Sequence, residues 1–269
     1  NDTPVTDIDP NDQINFPDLV LRACIEELIG KDAGAPIFGN DVLDVLLVDC
    51  AGVGDLTGLR FFTSLTFLQL IDSTVQTLEE IKNLTKITNL TIRGGNITSL
   101  SAVSAFTQLK SIEISSSNLS DISSLSGIDT LEKVVFKNNK LSSLAALADL
   151  PNIHAITVDN NITLTSLGKT FTAPKLQYLE VPNCGLTSLN ELNGLPELTT
   201  LDVSDNYLTH VSVVKTLPKL SSCSIWGNCI EDFSDFFAWY NQRFGDDLSM
   251  ENPNDVADWQ GGQDYPKCQ

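Results

Sequence analysis

A spacing constrains this chain more than any other feature. In residues 198–208, LTTLDVSDNYL, apolar residues fall at Leu198, Leu201, Val203 and Leu208, with Asn206 before the last of them. An amphipathic helix repeats its apolar positions at three and four and a half-buried strand at two, so neither template accounts for the whole stretch. The same pattern recurs along most of the chain. Its first apolar position falls at Leu43, Leu65, Ile87, Leu109, Leu131, Ile153, Leu176, Leu198 and Leu220, at intervals of 22 residues apart from one of 23. Nine units at that regularity mean a repeat architecture.

Each unit has a physical reading. The step of two is a short strand whose apolar residues face one way, so Leu201 and Val203 point to the core while Thr200, Asp202 and Ser204 point out. The step then becomes three, as in Leu208, Val211, Val214, Leu217 and Leu220. Roughly ten residues at that step suit 3-10 turns or extended chain rather than a full α-helix. No unit can bury its leucines alone, and stacked units share one continuous core. An asparagine at the ninth place would satisfy backbone groups in the bend after each strand. Asn139, Asn161, Asn206 and Asn228 stand there, whereas Ala51, Ser73, Gly95, Ser117 and Cys184 occupy the same place in other units and leave room for water or a hydroxyl. The sixth unit is one residue longer, which predicts a bulge near Ile162–Leu164.

These units, among them LEKVVFKNNKL and LTTLDVSDNYL, resemble the leucine-rich repeat pattern L-x-x-L-x-L-x-x-N-x-L. The 22-residue period behind a helical leading cap is similar to the bacterial secreted proteins of the internalin type. The resemblance implies an α/β fold: a leucine-rich repeat solenoid, or horseshoe, with a parallel concave β-sheet, a 3-10 or extended convex side and helical end caps. The expected organisation is one continuous structural domain. It comprises a flexible acidic tail over 1–15, a helical cap over 16–42, nine repeats over 43–232 and a C-terminal cap over 233–269. The leading cap rests on FPDLVLRACIEELIGK (16–31), with Pro and Asp at its start and Gly30 at its end. The trailing cap rests on FSDFFAWYNQRFG (233–245), whose Phe233, Phe236, Phe237 and Tyr240 are read as core against the last repeat.

Six cysteines are informative by position. Cys24 in the leading cap and Cys50 in the first repeat predict one staple, and Cys229 and Cys268 a second. Cys184 and Cys223, two repeats apart at ~4.8 Å per strand, are too distant to bond and are read as free, buried thiols. Disulfides at the two ends imply an oxidising location: secreted, at the cell surface, or periplasmic, with a lipid anchor outside the given sequence as one way of holding it there.

The net charge of −19 argues against nucleic acid and anionic membranes as partners. It concentrates at the ends: residues 1–42 and 231–269 each carry −7, and the 188 residues between them −5. No run approaches the roughly 18 apolar residues of a membrane span. Catalytic signatures are missing too: no Gly-rich phosphate loop, G-x-S-x-G or H-E-x-x-H occurs, and the two histidines, His154 and His210, fall at surface positions. The string DIDPNDQINFPD (7–18) puts Asp7, Asp9, Asn11 and Asp18 at EF-hand spacing. Asp12 stands where that loop needs Gly, and Asp18 where it needs a bidentate Glu, so no metal site is assigned. No cofactor is expected, and the chain is read as a monomer without enzymatic activity.

What remains is a surface. Outward strand residues form three columns on the concave face, where solenoids bind. The candidate partner-binding residues are Phe67, Gln69, Ile71, Arg93, Lys133, Lys137, Tyr178, Glu180, Asp202 and Trp226. Val45 and Leu47 join Phe67 and Ile71 in an apolar patch, while Tyr178, Glu180, Asp202 and Trp226 combine aromatic and acidic groups. The expected function is recognition of a protein partner, as in adhesion or a host or cell-surface interaction. A glycan is the alternative ligand, and enzyme inhibition or regulation the third reading.

Overall fold

The computed structural model describes residues 9–245, which fall into two compact units divided after Leu131. Both are leucine-rich repeat solenoids of parallel strands with 3-10 return segments.

The first unit opens with α1 (Leu19–Ile29). Asp18 caps it by accepting the N–H groups of Val20 and Leu21 at 2.8 and 3.0 Å, and Gly30 ends it in the left-handed region at φ 69°, where a side chain would be strained. The helix sinks Leu21 and Ile25 into a core with Ile14, Phe16, Ile37 and Val42. Phe16 meets Phe62 edge-on at 6.5 Å, which joins the cap core to the repeat core. The predicted staple is present: Cys24 on α1 is bonded to Cys50, with Cα atoms 6.0 Å apart. Four parallel strands follow: β1 (Leu47–Ala51), β2 (Phe67–Ser73), β3 (Asn89–Gly94) and β4 (Ser111–Ser115).

Their register corrects the phase of the first repeat. Leu47 pairs with Phe67, Asp49 with Gln69 and Ala51 with Ile71. The position equivalent to Leu65 is therefore Val45 rather than Leu43, and Ala51 lies on the outward face instead of at the asparagine place. The hydrophobic spacing misleads here because Leu43 belongs to the turn that enters β1, and the bend after Gly52 is shortened.

In the second unit β5 (Lys133–Val135), β6 (Ala155–Thr157), β7 (Tyr178–Glu180), β8 (Thr200–Asp202) and β9 (Ser222–Ser224) pair in parallel, with Tyr178 beside Thr200 and Thr200 beside Ser222. Helix α2 (Ser234–Phe244) closes it. Phe233, Phe236 and Phe237 are buried as expected, while Tyr240 is half-buried and touches Phe236 at 5.7 Å between ring centres. Cys184 and Cys223 are free thiols. Cys184 is buried, but Cys223 is only half-buried, because it lies on the last strand of the sheet. The bridge expected between Cys229 and Cys268 falls on a residue outside those described.

From the second repeat on, the inward positions other than Cys223 bury as the repeat predicts, and 3-10 segments such as Glu79–Ile81, Ala145–Leu147 and Asn190–Leu192 carry most of the return. No helical turn forms between β6 and β7. There the extra residue becomes a turn, closed by the Leu164 N–H on the Asn161 carbonyl at 2.9 Å, and Ile162 is pushed out to 74% exposure.

The bend after each strand depends on two devices. The asparagines are one. Asn206 is fully buried; its Nδ2 donates to the carbonyls of Val181, Val203 and Ser204 at 2.8–3.0 Å and its Oδ1 accepts the Leu186 N–H at 2.9 Å. Asn161 and Asn228 repeat the arrangement. Ser117 does part of the same work with a hydroxyl, accepting the Ile97 N–H at 2.7 Å. Gly95 leaves no room for a side chain, since a Cβ there would meet the Val75 carbonyl at 2.6 Å. The Asn96 N–H bonds that carbonyl instead. The second device is a left-handed residue just before the asparagine place: Gly52, Asp72, Gly94, Ser116, Asn138, Asn160, Asn183, Asp205 and Gly227, all at positive φ. Glycine, asparagine and aspartate tolerate that conformation best, and they fill eight of the nine places.

Candidate binding surface

The outward strand residues of each unit form a surface of their own. In the first unit Phe67, Gln69 and Ile71 rise from β2, all half-buried, and Arg93 stands exposed on β3. Two of these are engaged within the protein. Gln69 donates to Asp49 across the strand pair at 3.0 Å. The Arg93 guanidinium grips Glu113 on β4 with two bonds, at 2.6 and 3.2 Å, which raises the pKa of the arginine further. Leu47 is 48% exposed beside Phe67, so the apolar patch forms, but without Val45, which the register moves out of the column. Leu46 and, on α1, Leu19, Val20 and Leu28 are also exposed. Sequence reasoning missed the three on α1 because the apolar positions of that helix are too many for one face, and Leu46 because the phase read from the spacing turns it inward.

In the second unit the register places Glu180 directly beside Asp202. Tyr178 stands two residues before Glu180 on the same strand and face, and Trp226 follows Ser224, the neighbour of Asp202 on β9. Backbone bonds continue past the strands, from Asn183 to the Ser204 carbonyl and from Asp205 to the Trp226 carbonyl, so Trp226 lies beside Ser204. Tyr178 and Trp226 are 45% and 43% exposed. Glu180 accepts the Thr157 hydroxyl at 3.0 Å, and Asp202 accepts the Ser204 hydroxyl and N–H at 2.6 and 3.0 Å. Lys133 and Lys137 stand exposed at β5, two strands from Glu180. The aromatic and acidic residues named from the sequence thus come together, and the two lysines lie to one side.

The remaining candidates have structural settings. Asp18, the last member of the EF-hand-like string, spends both oxygens on four backbone N–H groups; Asp7 lies outside the described residues. Cys184 stands in for a ladder asparagine, its Sγ against the carbonyls of Pro182 and Val158 at 3.3 and 3.4 Å, and burial pushes its pKa up to about 12. Desolvation, then the Asp202 charge, pushes Cys223 up to about 12. His210 is exposed beside a cavity of about 560 Å³ whose rim holds the Lys215–Asp235 ion pair, 3.0 Å. His154 is half-buried in a groove of about 430 Å³ with Lys175, Gln177 and Glu197.

No protein-family model matches the sequence, and neither does any curated protein. Solved structures do. An internalin, InlF, of Listeria monocytogenes is similar at 21% identity over 82% of this chain and 74% of its own, with a TM-score of 0.61. Internalin C2 of the same organism is similar at 26% identity over 82% of this chain and 89% of its own, with a TM-score of 0.60.

Proposed function

We propose that this chain, which is a leucine-rich repeat protein of internalin-like fold, is a secreted or surface-displayed binding module that takes a protein partner on its exposed sheet face. The observation that carries this reading is the pair of large aromatic side chains, Tyr178 and Trp226, exposed on the outward face around two carboxylates. Exposed aromatics cost solubility and are the residues most often found at the energetic centre of interfaces. The Cys24–Cys50 bridge supports an oxidising location. Phe67, Gln69, Ile71, Arg93, Lys133 and Lys137 extend the surface in their own units, with Arg93 contributing chiefly through its pair with Glu113.

A glycan is the second reading, since Tyr178 and Trp226 could stack on sugar rings while Glu180 and Asp202 bond hydroxyls. Protein and glycan arrays probed with the parent and with a Tyr178→Ala/Asp202→Lys/Trp226→Ala variant decide between them. A ligand kept by the parent, lost by the folded variant and destroyed by protease but not glycosidase supports the protein reading. Equal retention by both proteins removes this face from consideration.

A further inference from the structure

We infer that the sheet face of the second unit recognises a basic side chain, arginine above all, on an extended segment of a partner polypeptide, seated against Glu180 and Asp202 between Tyr178 and Trp226. This rests on the reading of that face as a binding surface and adds the chemistry of what it binds.

A contrast within the molecule carries the inference. Both units place charge on the outward faces of adjacent strands. In the first, Glu113 is neutralised within the protein by Arg93. In the second, Glu180 and Asp202 occupy directly paired positions, and no described residue forms an ion pair with either; hydroxyls of Thr157 and Ser204 are their side-chain partners. Like charges directly opposite one another on a sheet destabilise it. Neutral hydroxyls can orient a carboxylate but leave that repulsion in place, whereas a bound cation removes it. A neutral sugar would not.

The surroundings favour a guanidinium over an ammonium. Its planar fork can bond two carboxylates ~4.8 Å apart across a strand pair, and its face can lie on an aromatic ring. Tyr178 and Trp226 lie diagonally on opposite sides of the carboxylates, along a path an extended chain would follow across the strands. Lys133 and Lys137 stand two strands away and complement an acidic residue further along the same segment.

The test is selection of decapeptides from a random display library on the folded chain, with the recovered peptides then measured against three proteins. Against the parent, peptides enriched in arginine are expected, with binding that weakens as salt rises. Against Glu180→Gln/Asp202→Asn, affinity should fall about tenfold or more while the protein itself melts at a higher temperature than the parent. A binding loss joined to a stability gain is what a merely structural role would not give. Against Tyr178→Ala/Trp226→Ala, binding should also fall.

Peptides without basic enrichment, equal binding to the neutralised variant, a lower melting temperature for that variant, or recovery of no peptide would each overturn the inference. The binding-surface reading fails separately. If a ligand is lost by the aromatic variant and kept by the neutralised one, the face binds but not through a cation; if a ligand is kept by both, neither idea survives.

Discussion

The Asp18 carboxylate accepts the Gly54 N–H at 2.6 Å, and with it the Asp55 N–H at 3.0 Å, while its other oxygen caps helix α1. One side chain thus starts a helix and ties that helix to the bend of the first repeat, across 36 residues of sequence. Burial alone would raise its pKa, but the four N–H groups outweigh that and hold it below its ordinary value of 3.8. Because the folded-state value is depressed, the stabilisation is complete above the unfolded value and fades as pH falls through the folded one. Asp18→Asn should cost about 1–2 kcal/mol at pH 7. Urea denaturation from pH 7 to 2 should show a constant gap between parent and variant down to about pH 4, closing below it. A gap unchanged at pH 2 would contradict the assignment.

The same cap carries the Cys24–Cys50 bridge, which closes a loop of 26 residues. Loop-closure reckoning puts its contribution at about 3–4 kcal/mol. Cys24→Ser/Cys50→Ser should lower the urea midpoint accordingly, and reductant should have no further effect on the double variant's cap.

Cys184 and Cys223, each pushed up to about 12, hold little thiolate at neutral pH. Relative to an ordinary thiol near pKa 8.5, the thiolate fraction at pH 8 falls by roughly a thousandfold. Iodoacetamide at pH 8 should leave both unmodified in the folded protein and label both in urea, as read by mass spectrometry of their peptides.

Substitutions in the ladder should be unequal. Asn206→Ala strips four hydrogen bonds from a fully buried site and should cost about 3 kcal/mol or more. Ser117→Ala, losing a hydroxyl that is half-buried, should cost nearer 1 kcal/mol. Gly95→Asn, which restores the consensus, should destabilise the protein, because its Cβ has no space beside Val75. Thermal melts of the three variants check the order.

At the left-handed position, Asp72 sits exposed at φ 51°. Asp72→Gly should be neutral or stabilising by up to about 1 kcal/mol, and Asp72→Val should cost about 1–2 kcal/mol. Equal stability of the two would remove backbone strain as the reason for the residue types found there.

By itself the sequence determined the repeat, the inward residues from the second repeat on and both cap helices. These follow from spacing along the chain: burial of apolar groups selects a periodicity, and periodicity is written locally. The left-handed places are legible too, in the run of Asp, Gly, Asn and Ser before each ladder position. Tertiary structure alone decided the phase of the first repeat, where Leu43 has the right spacing but Val45 has the right neighbour. It also decided which surface charges are already satisfied. Nothing local distinguishes Glu113 from Glu180; one has Arg93 on the adjacent strand and the other has Asp202. Cross-strand partners lie some twenty residues away, and only the register of the assembled sheet brings them within reach of a hydrogen bond.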